Sequence, residues 1–271
     1  MMAVNGLNRG IDFEGGTLIQ IRIGKTISVD EVRLIVDKFD KEASIVHSGE
    51  KKDEIQIKSK KDFNNKEIHQ IFNEFKEKYK LKDEDLVQSQ KFGPTMGKEI
   101  RQKALLSSAI AVVAMLIYIS WRFEFKFAIS AIIALAHDVL IMLSVYAIFR
   151  IPVNGSFIAA ILTILGYSIN DTIVIFDRIR ETRRLSRKDS YEKVVNDSIK
   201  KSLTRTINTS ITTLVTILLL YILGVDDVKV LALPLIIGVI AGTYSSIFIA
   251  SPLWYVFKSK EKDAKYNARK A

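Results

Sequence analysis

FIAAILTILGYSINDTIVIF, residues 157–176, is an almost wholly apolar run whose one carboxylate is Asp171. A helix needs about twenty apolar residues to cross a hydrocarbon core, so this stretch predicts a membrane helix. Four further stretches have the same character, namely residues 104–121, 127–149, 206–223 and 231–257. Buried helices of a large soluble protein are the alternative. Five such segments in close succession, with little polar sequence between them, favour a polytopic α-helical membrane protein.

Charge is segregated from this apolar sequence. Hydrophobic residues make up 48% of the chain and charged residues 26%, and most charge lies before Lys103, between Asp177 and Arg205, and after Lys258. The net charge of +10 would suggest nucleic acid if the basic residues formed a face among aromatics. They cluster instead at the ends of apolar segments, as membrane anchors do. We therefore expect a lipid membrane and no nucleic acid as a partner. With no cysteine, disulfides and thiolate metal sites are excluded, and we expect neither metal nor cofactor.

Residues 1–95 predict a separate domain of alternating strands and helices. Ser28, with Glu31 three residues later, is typical of a capping box that begins a helix. The predicted strands are 17–23, 43–47, 54–58 and 85–92, and the predicted helices run from Ser28 to Phe39 and over 62–79. The order βαββαβ is that of the ferredoxin-like unit, in which two helices cover one face of a four-stranded antiparallel sheet.

The distribution of lysine and arginine predicts the orientation in the membrane. Basic residues are concentrated in the predicted loop 177–205 and the tail 258–271, whereas the loop 224–230 carries Asp226, Asp227 and only Lys229. The basic loop and tail should be cytoplasmic, which makes the domain 1–95 extracytoplasmic. Because no signal peptide or apolar segment precedes that domain, we expect a further membrane helix ahead of it, for a total of six.

Three ionisable residues fall inside the apolar segments, where charge is costly and marks candidate functional sites. Asp138 lies about halfway along the second segment, beside His137, and a transport role or a purely structural hydrogen bond fits it equally well. Asp171 lies in a polar stretch of the third segment, and here function is favoured over packing. Arg205 begins the predicted fourth segment, and either anchors it at the interface or serves transport.

Polar neighbours support these residues. Ser168 lies one turn from Asp171, Asn170 precedes it, and Thr209 continues a stripe from Arg205. Asp171 and Arg205 should lie at similar depths near the cytoplasmic side. A carboxylate that pairs with arginine when ionised, and releases it when protonated, would be a switch driven by an ion gradient. In the last segment, Pro234, Gly238 and Gly242 share a face, and close helix packing is the favoured interpretation.

Several motifs together resemble the SecF family of bacterial protein-export subunits, within the resistance-nodulation-division permease superfamily. They are GIDFEGGT at 10–17, FGPTMGKE at 92–99, His137-Asp138, GYSINDT at 166–172 continuing to FDRIRE at 176–181, and RTINTS at 205–210. They occur in order over nearly the whole chain. The resemblance implies half of a permease-type membrane domain.

The resemblance also implies partners and site residues. It implies pairing with SecD, association with the SecYEG translocon and often YajC, and use of a proton or sodium gradient to help pull unfolded exported polypeptides across the bacterial cell membrane. The family's essential aspartate falls on Asp171 and its arginine on Arg205, and Asp138 matches a family motif. The family has a membrane helix ahead of the Gly10-Ile11-Asp12-Phe13 motif, and Asn5 to Arg9 would be a remnant of the segment that leaves it.

Two other functions are compatible with the same residues. An ion-driven exporter of small molecules or lipids would use the same helices and charges. A scaffold whose outer domain binds a partner would need neither Asp171 nor Arg205. A nucleotide-binding Gly-x-x-x-x-Gly-Lys-[Ser/Thr] motif does not occur. Energy should therefore come from the membrane gradient, and we expect no enzymatic activity and no catalytic residues.

Overall fold

The computed structural model describes residues 6–49 and 51–268, with the backbone alone at Pro94 and at 262–268. Asn5 of the predicted remnant and Arg269 and Lys270 of the predicted tail lie outside the described residues, as do the side chains of Lys262 and Lys265. The described residues fall into two compact units. One comprises the chain up to Leu105 with Tyr146–Ile158 and Leu219–Ala232, and the other comprises Leu106–Val145, Ala159–Leu218 and the residues from Leu233 onward.

In the first unit, the predicted sheet domain is confirmed with small shifts at its boundaries. A one-turn helix α1 (Ile11–Glu14) precedes β1 (Gly16–Arg22), α2 (Val29–Val36), β2 (Ser44–Ser48), β3 (Glu54–Ser59), α3 (Asn65–Tyr79), a 3-10 turn (Asp83–Asp85) and β4 (Leu86–Phe92). Within the described residues these four strands form one antiparallel sheet in the order β2-β3-β1-β4.

Alternating apolar residues of the strands build the core of this domain against the two longer helices. Ile19 and Ile21 of β1 lie opposite Ile57 and Ile55 of β3, and all four are buried. Phe72 and Phe75 of α3 join the same cluster, so one face of the sheet is covered, as the period-2 pattern requires.

Side chains at the first residues of both helices satisfy backbone donors there. The Ser28 side chain accepts the Glu31 N–H at 3.2 Å, which is one of the two hydrogen bonds of the predicted capping box. Asn64 and Glu67 form a complete capping box, so α3 begins at Asn65 and not at residue 62.

The glycine pair Gly15-Gly16 connects α1 to β1 through a conformation that other residues adopt poorly. Both have positive φ, 88° and 142°. A Cβ on Gly16 would overlap the carbonyl oxygen of Ser59 and lie 3.0 Å from Ile11 Cγ2. This turn therefore requires glycine for both backbone conformation and space.

Five long helices follow, and each is long and apolar enough to cross a membrane, as predicted. They are α4 (Pro94–Arg122), α5 (Phe125–Ile148), α6 (Gly155–Leu185), α7 (Tyr191–Leu223) and a fifth that comprises α8 (Asp226–Ser245), a π-helical turn (Ser246–Ala250) and α9 (Ser251–Ala268). The number five applies to the residues that the structure describes.

These helices extend beyond the predicted apolar segments. The predicted basic loop 177–205 is helical except at residues 186–190, so the prediction of a long loop is wrong. Arginine and lysine are good helix formers, and neither glycine nor proline interrupts this stretch. Hydropathy delimits the apolar part of a helix, not its ends. For the same reason Arg205 lies inside α7 and does not begin it.

The predicted acidic loop 224–230 is likewise mostly helix, because α8 begins at Asp226. Acidic residues favour the first turn of a helix, where they complement its dipole. Asp226 accepts the backbone N–H of His47 at 3.2 Å and contacts His47 Nδ1 at 3.1 Å. Asp227 accepts hydrogen bonds from Ser48 Oγ at 2.6 Å and Gln56 Nε2 at 3.0 Å. The start of α8 is thereby bound to β2 and β3 within the first unit.

The residues around the Gly10-Ile11-Asp12-Phe13 motif bind the segment that precedes α6. The Gly10 N–H donates to the Val153 carbonyl at 2.7 Å, and the Val153 N–H donates to the Asn8 carbonyl at 2.8 Å. Asp12 accepts the N–H of Gly155 at 2.7 Å, at the first residue of α6. The motif therefore has a structural role at the N-terminus of the third long helix.

Candidate functional site

Asp138 of α5 is wholly buried in the second unit and is surrounded by hydrogen-bond donors. Its Oδ2 accepts the hydroxyl of Ser168 on α6 at 2.6 Å and that of Ser245 on α8 at 2.9 Å. His137 Nδ1 lies 3.2 Å from Oδ1. One carboxylate thus joins three membrane-length helices.

A second set of hydroxyls continues this network along α6. Ser246 Oγ lies 2.8 Å from Thr172 Oγ1, where one hydroxyl donates to the other, and the carbonyl oxygen of Ser168 lies 3.3 and 3.1 Å from these two oxygens. Ser246 is the first residue of the π-helical turn, and its own carbonyl accepts Ser251 Oγ at 3.1 Å. A π-turn displaces the helical register locally and is frequent at functional sites.

Asp171 lies one turn further along α6 and has much weaker support. It is 4% exposed, and within the described residues its side chain accepts one hydrogen bond, from Ser210 Oγ of α7 at 3.5 Å. That hydroxyl is shared with Thr243 Oγ1 of α8 at 2.6 Å. Asp138 therefore has two short hydroxyl donors, whereas Asp171 is a buried carboxylate with one long hydrogen bond.

Arg205 does not form the predicted ion pair with Asp171 in this structure. Among the residues whose side chains are described, no ion pair within 4.0 Å includes either side chain. Arg205 is exposed on α7, five residues before Ser210, whose hydroxyl is hydrogen-bonded to Asp171. The two groups are neighbours without direct contact.

The polar stripe predicted on α7 lies on the exposed side of that helix. Of the predicted stripe, Arg205, Thr212 and Thr216 are exposed, and so is Asn208, which was not predicted as part of it. Thr209, a predicted supporting residue, is half-buried and donates to the Arg205 carbonyl at 2.8 Å. Only 11% of the most apolar 18-residue stretch of α7 is buried against the rest of the protein. An exposed cation and amide on a membrane helix need a polar neighbour, because lipid offers none.

Of the other two predicted supporting residues, only Ser168 is in a polar network. Asn170 is exposed on α6, and its side chain has no hydrogen bond within the described part of the chain. Ser168 and Asn170 are two residues apart and so point to different sides of the helix. Both residues were predicted because they are close to Asp171 in the sequence, but only one of them can lie on the same side of the helix as Asp171.

The predicted glycine face of α8 packs against α6 at very short range. A Cβ on Gly242 would lie 2.9 Å from Ser168 Cβ, and one on Gly238 would overlap Ile164. The prediction of close packing is confirmed. This proximity allows Ser168 and Ser245 to reach the same oxygen of Asp138, so the small residues also shape the polar network.

Sequence reasoning missed the polar residues that α7 and α8 contribute. Thr243, Ser245 and Ser246 occur singly or in pairs within apolar sequence, whereas Ser210 ends the RTINTS motif that drew attention to Arg205. Serine and threonine are common in membrane helices and often bond only their own backbone, so their residue type alone does not separate these four from the rest. Their role depends on which helix lies opposite.

Chemically, the site can hold and exchange a small cation or a proton. Among the described residues no cluster of three histidine, cysteine or carboxylate side chains could hold a metal ion. The available groups are two separated carboxylates and their hydroxyls. Hydroxyl and carboxylate oxygens bind Na⁺ or pass a proton equally well, so the site does not discriminate between these ions.

Comparison with known proteins identifies the family. Residues 70–260 match the family model described as the protein export membrane protein SecD/SecF, C-terminal, and residues 1–27 match the SecD/SecF GG motif. The protein translocase subunit SecF of Helicobacter pylori is 39% identical over 259 residues, which cover 92% of this chain and 78% of that one. The SecF subunit of Magnetococcus marinus is 37% identical, with 92% and 81% covered.

A solved structure agrees with the sequence matches. SecDF of Thermus thermophilus, a translocon-associated membrane protein, superimposes with a TM-score of 0.81 at 34% identity. The match covers 95% of this chain but only 35% of that longer chain. The membrane helices, the sheet domain and the motifs lead to one conclusion: this chain belongs to the SecF family of protein translocase subunits.

Proposed function

We propose that this membrane protein couples a transmembrane proton or sodium gradient to a late stage of protein export, with Asp171 as the ion-responsive group. The poor hydrogen bonding of buried Asp171 carries the proposal. A buried carboxylate with one long hydrogen bond is costly when ionised, and a proton or a cation relieves that cost. Asp138, already satisfied by two hydroxyls, is better suited to hold the helices in register.

Arg205 provides the second element of the switch. An ionised Asp171 would attract the nearby guanidinium, and a neutral one would release it. Each elementary charge that crosses the membrane potential is worth roughly 2.3 kcal/mol per 100 mV. One such movement is sufficient to bias two conformations of helices α6 and α7.

The exposed polar stripe of α7 favours a membrane-embedded partner. Arg205 and Asn208 would otherwise face hydrocarbon, where charge is costly. We propose that a SecD subunit covers this face and supplies polar groups to it, as the combined name of the SecDF protein suggests. The translocon SecYEG, YajC and the exported polypeptide are proposed as further partners on the family resemblance alone.

The proposed topology follows the basic residues. The end of α6, the start of α7 and the turn 186–190 carry most of the arginine and lysine between the membrane segments and would be cytoplasmic. The sheet domain up to residue 95 would then be extracytoplasmic, where it could meet an emerging polypeptide.

The test compares two aspartates on the same helix. Asp171→Asn keeps the size of the side chain but removes its charge, and Asp177→Asn makes the same change at an exposed residue two turns away. In membrane vesicles with an imposed gradient, we expect Asp171→Asn to abolish the gradient-dependent part of precursor export while SecD still co-purifies. Asp177→Asn should leave both unchanged.

Normal gradient-dependent export by the Asp171→Asn variant would refute the proposal. Loss of SecD co-purification in that variant would instead assign Asp171 a structural role. Repeating the assay with a proton gradient alone and a sodium gradient alone identifies the coupling ion.

A further inference from the structure

A cavity of about 550 Å³ lies at one end of the helices in the second unit and is strongly basic. It is formed by the turn between α4 and α5, the last turns of α6, the start of α7, and α9. Its lining includes five cations, Arg122, Arg180, Arg183, Arg184 and Lys258, with Glu124 as the one lining carboxylate. Asp138, Asp171 and Arg205 are not among its lining residues.

The two central arginines are held in place by groups that leave their charge uncompensated. Arg180 donates to the carbonyl oxygen of Arg122 at 3.3 Å. Arg183 donates to the carbonyl oxygen of Asp189 at 2.8 Å, and its guanidinium lies 4.5 Å from the ring centroid of Tyr191. Neutral partners and a stacked ring orient a guanidinium but do not neutralise it.

The other cations differ in how far they are neutralised. Lys258 pairs with two carboxylates, Glu124 at 2.6 Å and Glu261 at 3.4 Å, and Arg122 lies 3.5 Å from Asp177. The exposed side chain of Arg184 has no ion pair or hydrogen bond within the described part of the chain, so Arg180, Arg183 and Arg184 remain without a carboxylate partner there. The cavity therefore has an excess of positive charge, and an anion would gain energy from entering it.

Aromatic side chains form one wall of the cavity. Trp254 is 2% exposed, stacks on Phe127 with 4.6 Å between ring centroids, and lies edge-to-face with Tyr191 at 5.9 Å between centroids. Because the Tyr191 ring also lies 4.5 Å from the Arg183 guanidinium, this wall fixes the position of one of the uncompensated charges.

We propose that this cavity binds the phosphate headgroup of an anionic phospholipid. Planar guanidinium groups match phosphate oxygens in pairs, and basic pockets between membrane helices are typical headgroup sites. The cavity lies where these helices should leave the hydrocarbon, because the lining residue Trp121 is 82% exposed at the end of α4, as expected for an interfacial anchor. Exposed Trp121 and half-buried Phe123 give it an apolar side on which an acyl chain can lie.

Native mass spectrometry of the full chain tests the site. The protein is released from bilayers of phosphatidylcholine with phosphatidylglycerol, and the retained lipids are counted. The test variant is Arg180→Gln with Arg183→Gln, and the matched control is Arg178→Gln with Arg187→Gln, which removes the same charge from nearby positions outside the cavity. We expect preferential retention of phosphatidylglycerol by the unmodified protein, a roughly thirtyfold loss of affinity in the test variant, and little change in the control.

Two further measurements distinguish a lipid site from a folding defect and from a general phosphate site. Arg180→Lys with Arg183→Lys preserves charge without the paired donors and should show an intermediate affinity, which separates lost contacts from a folding defect. Inorganic phosphate at millimolar concentration should not displace the lipid. Equal losses in test and control variants, no preference for phosphatidylglycerol, or displacement by inorganic phosphate would each overturn the lipid site.

Discussion

Replacement of Gly238 by alanine tests whether close contact between α6 and α8 holds the membrane helices together. The added Cβ would overlap Ile164 Cγ1 and lie 2.8 Å from Cδ1 and 2.9 Å from Cγ2. Ile164 is 1% exposed, so its side chain has no free space into which to move. Either the side chain leaves its rotamer or the two helices separate.

The magnitude follows from two opposing effects. Overpacking of a buried site costs roughly 1 to 3 kcal/mol, and overlap with three carbons of one buried side chain places this site near the upper end. Alanine in a helix gains about 1 kcal/mol over glycine. We therefore expect Gly238→Ala to lower the free energy of unfolding by about 2 kcal/mol.

A double-mutant cycle measured by unfolding in mixed micelles, followed by circular dichroism, isolates the contact. Ile164→Ala removes all three overlapping carbons, so in that background Gly238→Ala should gain about 1 kcal/mol instead of losing 2. Gly166→Ala is the matched control, because no atom lies within 4 Å of its Cβ outside the local helix backbone. It should be neutral or slightly stabilising.

Two results would refute this reasoning. One is a Gly238→Ala variant that is as stable as the unmodified protein, and the other is a loss of free energy that is the same with and without the Ile164 side chain. In either case the glycine would not be required for close packing against α6.

Two further predictions concern the first unit. Asp12→Ala removes the acceptor of the Gly155 N–H and should destabilise the start of α6 by about 1 kcal/mol, measured as faster amide exchange at residues 155–158 with exchange in β1 unchanged; unchanged exchange at 155–158 would contradict this. Asp227→Ala removes the acceptor of Ser48 Oγ and the shortest hydrogen bond of Gln56 Nε2, and should cost about 1 to 3 kcal/mol, measured as increased exchange in β2. Equal protection of β2 in both proteins would show that this contact contributes nothing.

Much of the fold could be predicted because its signals are local. The apolar runs, the alternation in β1 and β3, and the cap residue Ser28 each depend on a few neighbouring residues, and all three predictions agree with the structure. Helix ends were predicted less well. The basic stretch after Asp177 is helical because nothing in it breaks a helix, and hydropathy cannot detect a helix that continues past the membrane.

The candidate site likewise has features that the sequence predicts and features that it cannot predict. The sequence identified Asp138 and Asp171, since a carboxylate within apolar sequence is visible without a structure. It could not indicate that Asp138 has two hydroxyl donors and Asp171 one distant donor, because those hydroxyls belong to other helices. Nor could it show that Arg205 is exposed and separate from Asp171.

By itself, therefore, the sequence determined that this is a membrane protein with a ferredoxin-like domain, because solvent preference and backbone periodicity are properties of short segments. Only the tertiary structure decided which of its buried carboxylates receives enough hydrogen bonds. Satisfaction depends on the hydroxyls of Ser168, Ser245 and Ser210, which reach the carboxylates only where helices distant in sequence approach one another closely.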